Sequence, residues 1–537
     1  MKTKLIYFLL LVVLLCSYTL KSQTITDFST ELPLVIISTN GETILDEPKI
    51  MATMKIISNA NGINKFTDTA NEYNGYIGIE LRGSSSQLYP QKPYAIETRN
   101  ADGSNNNVSI LGMPEENDWA LLSNYNDKSL MRNILGYKLF QTLGNYAPRA
   151  QLVDVIINGS YQGIYLLTEK IKRDKNRVDI AKLKEEDNSG EELTGGYIFK
   201  IDYWNSYDSW VSPYSPLNHP DYDVHFVFHD PKWDELTWQQ KAYIENYVTE
   251  FESKLYSVGY DNPTTGYSKY IDVASFIDYF IVSEISRNND GFKKSRYFYK
   301  DKNGKITAGP VWDFDWAWKN INECYIFKAT DGSGWSYKIN ECNPWVKSPG
   351  WMVRLFYDTE FKDLTSCRYF DARENLLTDE YIFGIIDSVY NTVKNPQIKH
   401  FQKWDVLGRN VGAPEIDEQP QTYEGEVDKL KEWITTRLRW LDANMIGKCN
   451  YTNIASNTTA PEILLWPNPS TDVINLKSVI NITELQVYNV SGLLMMNDIV
   501  DNDNCSLNIG KLKQGYYLVR IKLENGETIV KKFLKNR

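Results

Sequence analysis

The sequence predicts an α+β core followed by a small all-β domain, and three observations carry that prediction. Residues 271–318 run from an apolar helical period (Ile271, Val273, Phe276, Ile277, Phe280, Ile281, Ile285) through a polar turn at 287–291. They then continue as two short strand-like runs joined at 301–304. From Leu464 onward, alternating runs are punctuated by Gly492, Gly515 and Gly526; about six short strands of this kind make a sandwich. Between the two lies YTNIASNTTAPE, an Asn- and Thr-rich linker. At 537 residues the chain exceeds one ordinary core. Its 42% hydrophobic and 13% aromatic content is globular rather than disordered.

In chain order, Lys2 and Lys4 precede an apolar run from Leu5 to Leu15, followed by Ser17, Thr19 and Ser22. This reads as a secretory signal peptide over residues 1–22, too short for a membrane span. Leu14 and Leu15 stand where a lipoprotein signal needs small residues, which argues against lipidation of Cys16. Removal of residues 1–22 leaves 55 basic against 69 acidic residues, net −14, and disfavours nucleic acid and anionic membranes as partners. No later apolar run is long enough to span a bilayer. Four His in the whole chain argue against a histidine-based metal site. Export permits disulfides; Cys324 and Cys342, the pair closest in sequence within one region, are expected to bond, although Cys367 lies near. Cys505 is the candidate unpaired thiol.

Residues 23–74 (LPLVIIST, a turn at NGETI, KIMATMKIIS) read as a β-rich segment ahead of the core. Residues 75–98 form a hairpin, IGIEL and PYAIET, around RGSSSQLYPQK. That connection has no GxGxxG, yet its backbone N–H groups, the Ser84 and Ser85 hydroxyls and the Arg82 guanidinium suit phosphate oxygens. Lys92 precedes Pro93 at the start of the second strand. Residues 124–143 are helical, with Leu130, Ile134, Leu135 and Leu139 on one face, Asn126 or Asp127 as cap and Gly144 at the end. Asn158 and Gly159 mark a type I′ hairpin. His225 and His229 have a helical metal spacing, but DYDVHFVFHDP alternates as a strand, so a zinc site is not expected. A helix over 236–256, a Gly- and Asn-rich loop over 320–350 and a terminal helix in 426–445 complete the core.

Three carboxylates stand out. Asp290 follows the helical run; Asp313 and Asp315 come 23 and 25 residues later, among Trp312, Phe314, Trp316 and Trp318. Helix, acidic loop, hairpin and acid is the order of the back half of a kinase catalytic core, where one Asp orients the attacking hydroxyl and another holds the metal. On a regular strand, residues 313 and 315 would face the same side, as a shared divalent cation requires, with Phe314 opposite. Counted generically, the same acids are turn and strand-end residues.

RNNDG followed by GPVWDFDWAW resembles the signature of the CotH kinase family, atypical kinases related to a spore-coat protein. The likeness continues in GIELRGSSSQLYPQKPYAIET, LGMPEENDWALLSNYNDKSLMRN, VDVIINGSYQGIYLLTEKIKRDKNRVDI and TGGYIFKID, spanning roughly 32–445. It implies an atypical protein-kinase-like two-lobe core over 75–447, with a small lobe near 75–170 and a large lobe near 171–447. The implied cofactors are ATP and Mg2+ or Mn2+. Arg82, Ser84, Ser85 and Lys92 (rather than Lys55 or Lys65) would contact phosphates, and Glu169 the adenine hinge, unless Glu169 pairs with Arg173 at i,i+4. Asp290 would be the catalytic residue, and Asp313, Asp315 and Asn289 the metal ligands. No Glu lies on the 124–143 helix, so a kinase Lys–Glu pair does not carry over. WPNPSTD, LKQGYYLVRI and KKFLKNR resemble the C-terminal sorting domain of the type IX secretion system. This implies a linker over 448–463 and an immunoglobulin-like sandwich over 464–537 that engages the secretion machinery and delivers the protein outside the cell or to its surface.

Three functions of different class fit these residues. One is a secreted kinase that phosphorylates an exported protein or a surface glycan. The second is an inactive relative acting as a surface binding or assembly protein, favoured by the scarcity of ATP outside the cell. The third is a glycoside hydrolase using an acid pair.

Overall fold

A computed structural model describes residues 27–449 and, beyond them, 463–468, 470–489, 494–526 and 528–536. The expected signal peptide and most of the expected linker lie outside the described residues. The chain divides into two units, Met1–Cys449 and Asn450–Arg537.

In the first unit seven strands close a barrel: β1 (Leu34–Ser38), β2 (Ile50–Ile57), β3 (Tyr73–Leu81), β4 (Tyr94–Arg99), β5 (Asp118–Ser123), β6 (Ala150–Ile157) and β7 (Ser160–Glu169). Their order is β6-β7-β5-β4-β3-β2-β1, and the ring closes through a parallel pairing of β1 with β6, Leu34 opposite Asp154. Residues 34–57 supply two of the staves, and flanking them Ser29–Thr30 pairs with Asn64–Lys65 as a separate two-stranded sheet. The alternation of β2 puts Ala52, Met54 and Ile56 inward, where they meet Val35, Ile37, Ile77, Trp119 and Val155 in one apolar core. A closed ring leaves no unpaired strand edge. At the β6–β7 turn, Asn158 and Gly159 take φ of 49° and 74°, the left-handed geometry of a type I′ turn. Helix α1 (Arg132–Thr142) leads from β5 towards β6. Its first free N–H, that of Arg132, is accepted by Asp127 Oδ2 at 2.8 Å.

A second, antiparallel sheet contains β8 (Tyr197–Ile201), β9 (Ser209–Val211), β10 (His225–Asp230), β11 (Arg296–Lys300) and β12 (Ile306–Ala308), in the order β9-β10-β8-β11-β12. His225 and His229 lie on β10. Burial pushes the imidazole of His229 down to about 3, and its Nε2 lies 2.9 Å from the carbonyl of Ile171. The unit also holds the longer helices α2 (Trp238–Leu255), α3 (Val273–Ile285), α4 (Thr359–Asn375), α5 (Asp379–Val393), α6 (Pro396–Lys403) and α7 (Tyr423–Asn444). Helix α3 is the spine. Asp272 caps it, accepting from Ala274 N at 3.1 Å, and every residue from Ser275 to Ile285 is buried. Glu284 on α3 pairs with Arg437 on α7 at 2.8 Å, both out of contact with water. Removing either partner would strand a buried charge, a cost of roughly 3–5 kcal/mol.

Disulfides join Cys324 to Cys342 and Cys367 to Cys449, and Cys505 is free. The second unit is sandwich-like, with five strands among its described residues: β13 (Leu464–Trp466), β14 (Val473–Asn489), β15 (Leu494–Asn508), β16 (Gly515–Leu523) and β17 (Thr528–Lys535). The strands are fewer and longer than expected because β14 runs on past Lys477, pairing first with β13 and then with β16. Ile474, Leu476, Val487, Val519, Ile521 and Phe533 form its core. Among the described residues no helix is long and apolar enough to cross a membrane.

Candidate functional site

The β3–β4 connection of the barrel meets the end of β8, the turn after α3 and the segment after β12 around a cleft of about 550 Å³. The connection supplies Arg82, Ser84 and Ser85, the turn supplies Asn289 and Asp290, and the last segment supplies Asp313 and Asp315. Residues more than 200 positions apart in the sequence thus line one cavity.

Two expected residues do not line it. Lys92 folds back on its own connection, its Nζ donating to the carbonyl of Gln87 at 2.6 Å. Glu169 is fully buried at the end of β7. Arg149 Nη2 donates to its Oε1 at 2.6 Å, and Tyr146 Oη donates to its Oε2 at 3.1 Å. Arg177 lies 3.9 Å away. Its ion-pair partners are therefore Arg149 and Arg177, not Arg173, and its oxygens are taken.

The carboxylates sit in irregular backbone rather than on a strand. Asp313 has φ 66°, a left-handed conformation that non-glycine residues hold only where their surroundings enforce it. Here Asn288 Nδ2 donates to the Asp313 carbonyl at 3.1 Å, and the next amide, Phe314 N, donates to Asn133 Oδ1 at 2.8 Å. Phe314 is buried against Trp318, with ring centroids 5.6 Å apart. Ser295 Oγ donates to Asp313 Oδ2 at 3.1 Å, and Asn126 Nδ2 to Asp315 Oδ2 at 2.9 Å. Burial, then the charges of Asp315 and Asp290, push the Asp313 carboxyl well above the usual carboxylate range.

Asp290 is engaged by two lysines: Lys293 Nζ lies 3.3 Å from Oδ1 and Lys294 Nζ 3.3 Å from Oδ2. Burial opposes the charge on Lys294, but Asp290 and Asp313 outweigh it and hold this ammonium above its ordinary range. Across the cleft, Lys200 on β8 pairs with Asp202 at 2.8 Å, and Arg82 lies over the Trp312 ring at 5.3 Å. Lys200, Asp202, Lys293 and Lys294 were not singled out from the sequence. A signal existed for the last two, which stand at i+3 and i+4 from Asp290. Lys200 carried none beyond being a lysine inside an apolar strand.

Asn289 is 1% exposed and lines the cleft, yet neither its Oδ1 nor its Nδ2 has a hydrogen-bond partner. Buried amides are almost always satisfied, so this orphaned pair marks a place for a ligand. Among the described residues no group of three or more His, Cys, Asp or Glu is set to hold a metal ion. Asp313, Asp315 and Asn289 offer hard oxygen donors, which fit a magnesium-type cation completing its shell with water and phosphate oxygens.

Residues 79–441 match the family model described as CotH kinase protein, and residues 464–536 match that of the secretion system C-terminal sorting domain. The chain is 26% identical over 246 residues to the inner spore coat protein H of Bacillus subtilis (strain 168), covering 45% of this chain and 59% of that protein. The alignment thus spans about three fifths of the relative's length. A solved structure, CopC from Methylosinus trichosporium OB3b, is 13% identical and covers 14% of this chain and 91% of its own, at a TM-score of 0.12; that likeness carries no argument. The sorting domain addresses the chain to the type IX route, and so to the cell surface or beyond.

Proposed function

The chain belongs to the CotH kinase protein family, and from that premise we propose that it is an atypical kinase transferring the γ-phosphate of ATP to a hydroxyl of an exported protein or surface glycan. The barrel serves as the small lobe and the helical part as the large lobe. One observation carries the reading: the orphaned Asn289 amide sits in the same cleft as Asp313 and Asp315, whose mutual repulsion a divalent cation would relieve. Magnesium held there by Asp313, Asp315 and Asn289 would neutralise charge on the phosphates. Arg82 and the Ser84 and Ser85 hydroxyls offer donors to phosphate oxygens from the barrel side, and Lys200 adds charge from β8. Asp290 accepts the proton of the acceptor hydroxyl as that oxygen bonds to the γ-phosphorus and ADP leaves.

A second reading, a surface binding protein without transfer, draws support from the two lysines that already engage both oxygens of Asp290. Substitutions separate the two. Asp290→Asn is expected to keep magnesium-dependent ATP binding and lose transfer by about 100-fold or more. Asp313→Ala is expected to weaken both. If the wild-type protein binds no nucleotide at millimolar ATP and magnesium, the kinase reading fails and the binding reading takes its place.

A further inference from the structure

Part of one wall of the cleft comes from residues that flank a loop closed by a disulfide. Cys324 and Cys342 are bonded, and the residues beside them, Glu323 at one end and Trp345 and Val346 at the other, line the cleft. The middle of this loop is anchored to the core independently. Arg287 donates to the carbonyls of Ala329 and Ser333, and Arg437 to those of Gly332 and Gly334. Its two ends are tied to each other by the disulfide.

The end that carries Glu323 reaches the transfer residue through one intermediate. Glu323 Oε2 lies 3.6 Å from Lys293 Nζ, and that same ammonium lies 3.3 Å from Asp290 Oδ1. Lys293 is thus shared between two carboxylates. Asp290 must keep one oxygen open to take the acceptor's proton, and an ammonium settled fully on Oδ1, with Lys294 on Oδ2, would close both. Other charged or titratable groups face Asp290 as well: Lys294 from the same turn, Asp313 from the segment after β12 and Tyr279 from α3. None of these is an anion that competes for Lys293 at ion-pair distance; Glu323, at 3.6 Å, is.

We propose that Glu323 is a positioning residue for Asp290, acting through Lys293, and that the Cys324–Cys342 disulfide sets it in place, so that the cleft becomes competent for transfer when the disulfide forms. The proposal rests on the kinase reading above. Two thiols lose two protons and two electrons to a disulfide-bearing oxidant, which departs as its dithiol while the Cys324–Cys342 bond forms. Reducing compartments keep such thiols apart and export permits their closure, so a chain carrying a sorting domain would gain activity on the side to which it is sent.

The test uses the full chain, ATP with magnesium, and a pool of hydroxyl-bearing peptides as acceptor, with nucleotide binding measured in parallel. Glu323→Gln is expected to lower kcat about fivefold while leaving KM for ATP unchanged, and Glu323→Asp to restore part of the loss. Cys324→Ser combined with Cys342→Ser should fall at least as far in kcat, with ATP binding kept. Cys367→Ser with Cys449→Ser, assayed under oxidised glutathione, should retain transfer. Mild reduction should depress the wild type and leave the Cys324/Cys342 variant unchanged. If the wild type transfers phosphate and both Glu323→Gln and the Cys324/Cys342 variant match it, this inference is overturned while the kinase reading stands. Absence of transfer by the wild type overturns both. Should the double cysteine variant fail to fold, Glu323→Gln and its Asp rescue decide alone, because a merely structural role would not separate kcat from KM.

Discussion

Glu252 on α2 is fully buried and accepts hydrogen bonds from Ser212 Oγ at 2.7 Å and Trp351 Nε1 at 2.8 Å. Among the described residues no cation lies within ion-pair distance of it. Burial pushes its carboxyl up to about 7, against the pull of those two hydrogen bonds. The folded state therefore keeps a proton that the unfolded chain releases near 4.5. The stability held below the unfolded value is lost as pH rises through the window from about 4.5 to about 7, on the order of 3 kcal/mol in all. Glu252→Gln can accept from Trp351 and donate to Ser212, and it removes the titration. Denaturant titrations at pH 5 and pH 8 should show the variant gaining on the wild type at the higher pH; a constant difference across that range would contradict the burial argument. Lys92 and Lys200 teach the residue-scale lesson from the other side. Lys92 precedes a strand and Lys200 lies within one, and nothing local in the chain says that the first bonds its own loop while the second lines the cleft.

At the scale of elements, α1 and the segment after β12 meet through one glycine. Gly136 lies in the helix interior, where alanine would normally add about 1 kcal/mol of helix stability. A Cβ at Gly136 would come within 2.4 Å of the Phe314 ring, and Phe314 stands between the two carboxylates of the cleft. Gly136→Ala is therefore expected to lower stability by roughly 1–3 kcal/mol through overpacking, and to weaken magnesium-dependent ATP binding by moving Asp313 and Asp315. Unfolding midpoints and ATP titrations on the same variant check this. A variant more stable than wild type with intact binding would mean that Phe314 can move aside freely. The helix itself was legible from its leucine spacing and the β6–β7 turn from Asn158 and Gly159, because periodicity and turn chemistry are local. The left-handed backbone at Asp313 was not: it is held by Asn288 and Asn133, from other parts of the chain, so the two acids do not share a face through strand alternation.

At the scale of the molecule, the chain has one unit ending at Cys449 and a second that matches a sorting domain. Deletion of residues 464–537 should leave a folded first unit with its nucleotide affinity unchanged, while surface display or release is lost. Cell fractionation of the truncated and full chains measures this, and normal delivery of the truncated chain would refute the role of the tail. Truncation at the other end should behave differently. Residues 34–57 are staves of the barrel, so a chain beginning at residue 75 would expose two strand edges and the barrel core.

What the sequence by itself determined is whatever depends on neighbours along the chain. It set the helical period of α3 and α7, the Asn158–Gly159 turn, the β character of the tail, and the ordered motif blocks that identify the family. It also named seven of the residues that share the cleft, because RGSSS, RNND and DFD are contiguous words. Only the tertiary structure decided what those words face. It took residues 34–57 into a closed barrel, because a parallel contact between β1 and β6 satisfies edges that no local pattern records. It committed Glu169 to Arg149 and Arg177 and brought Lys200, Lys293, Lys294 and Glu323 to the carboxylates. Charge pairing and burial depend on distance in space, and most of these partners are tens to hundreds of residues apart.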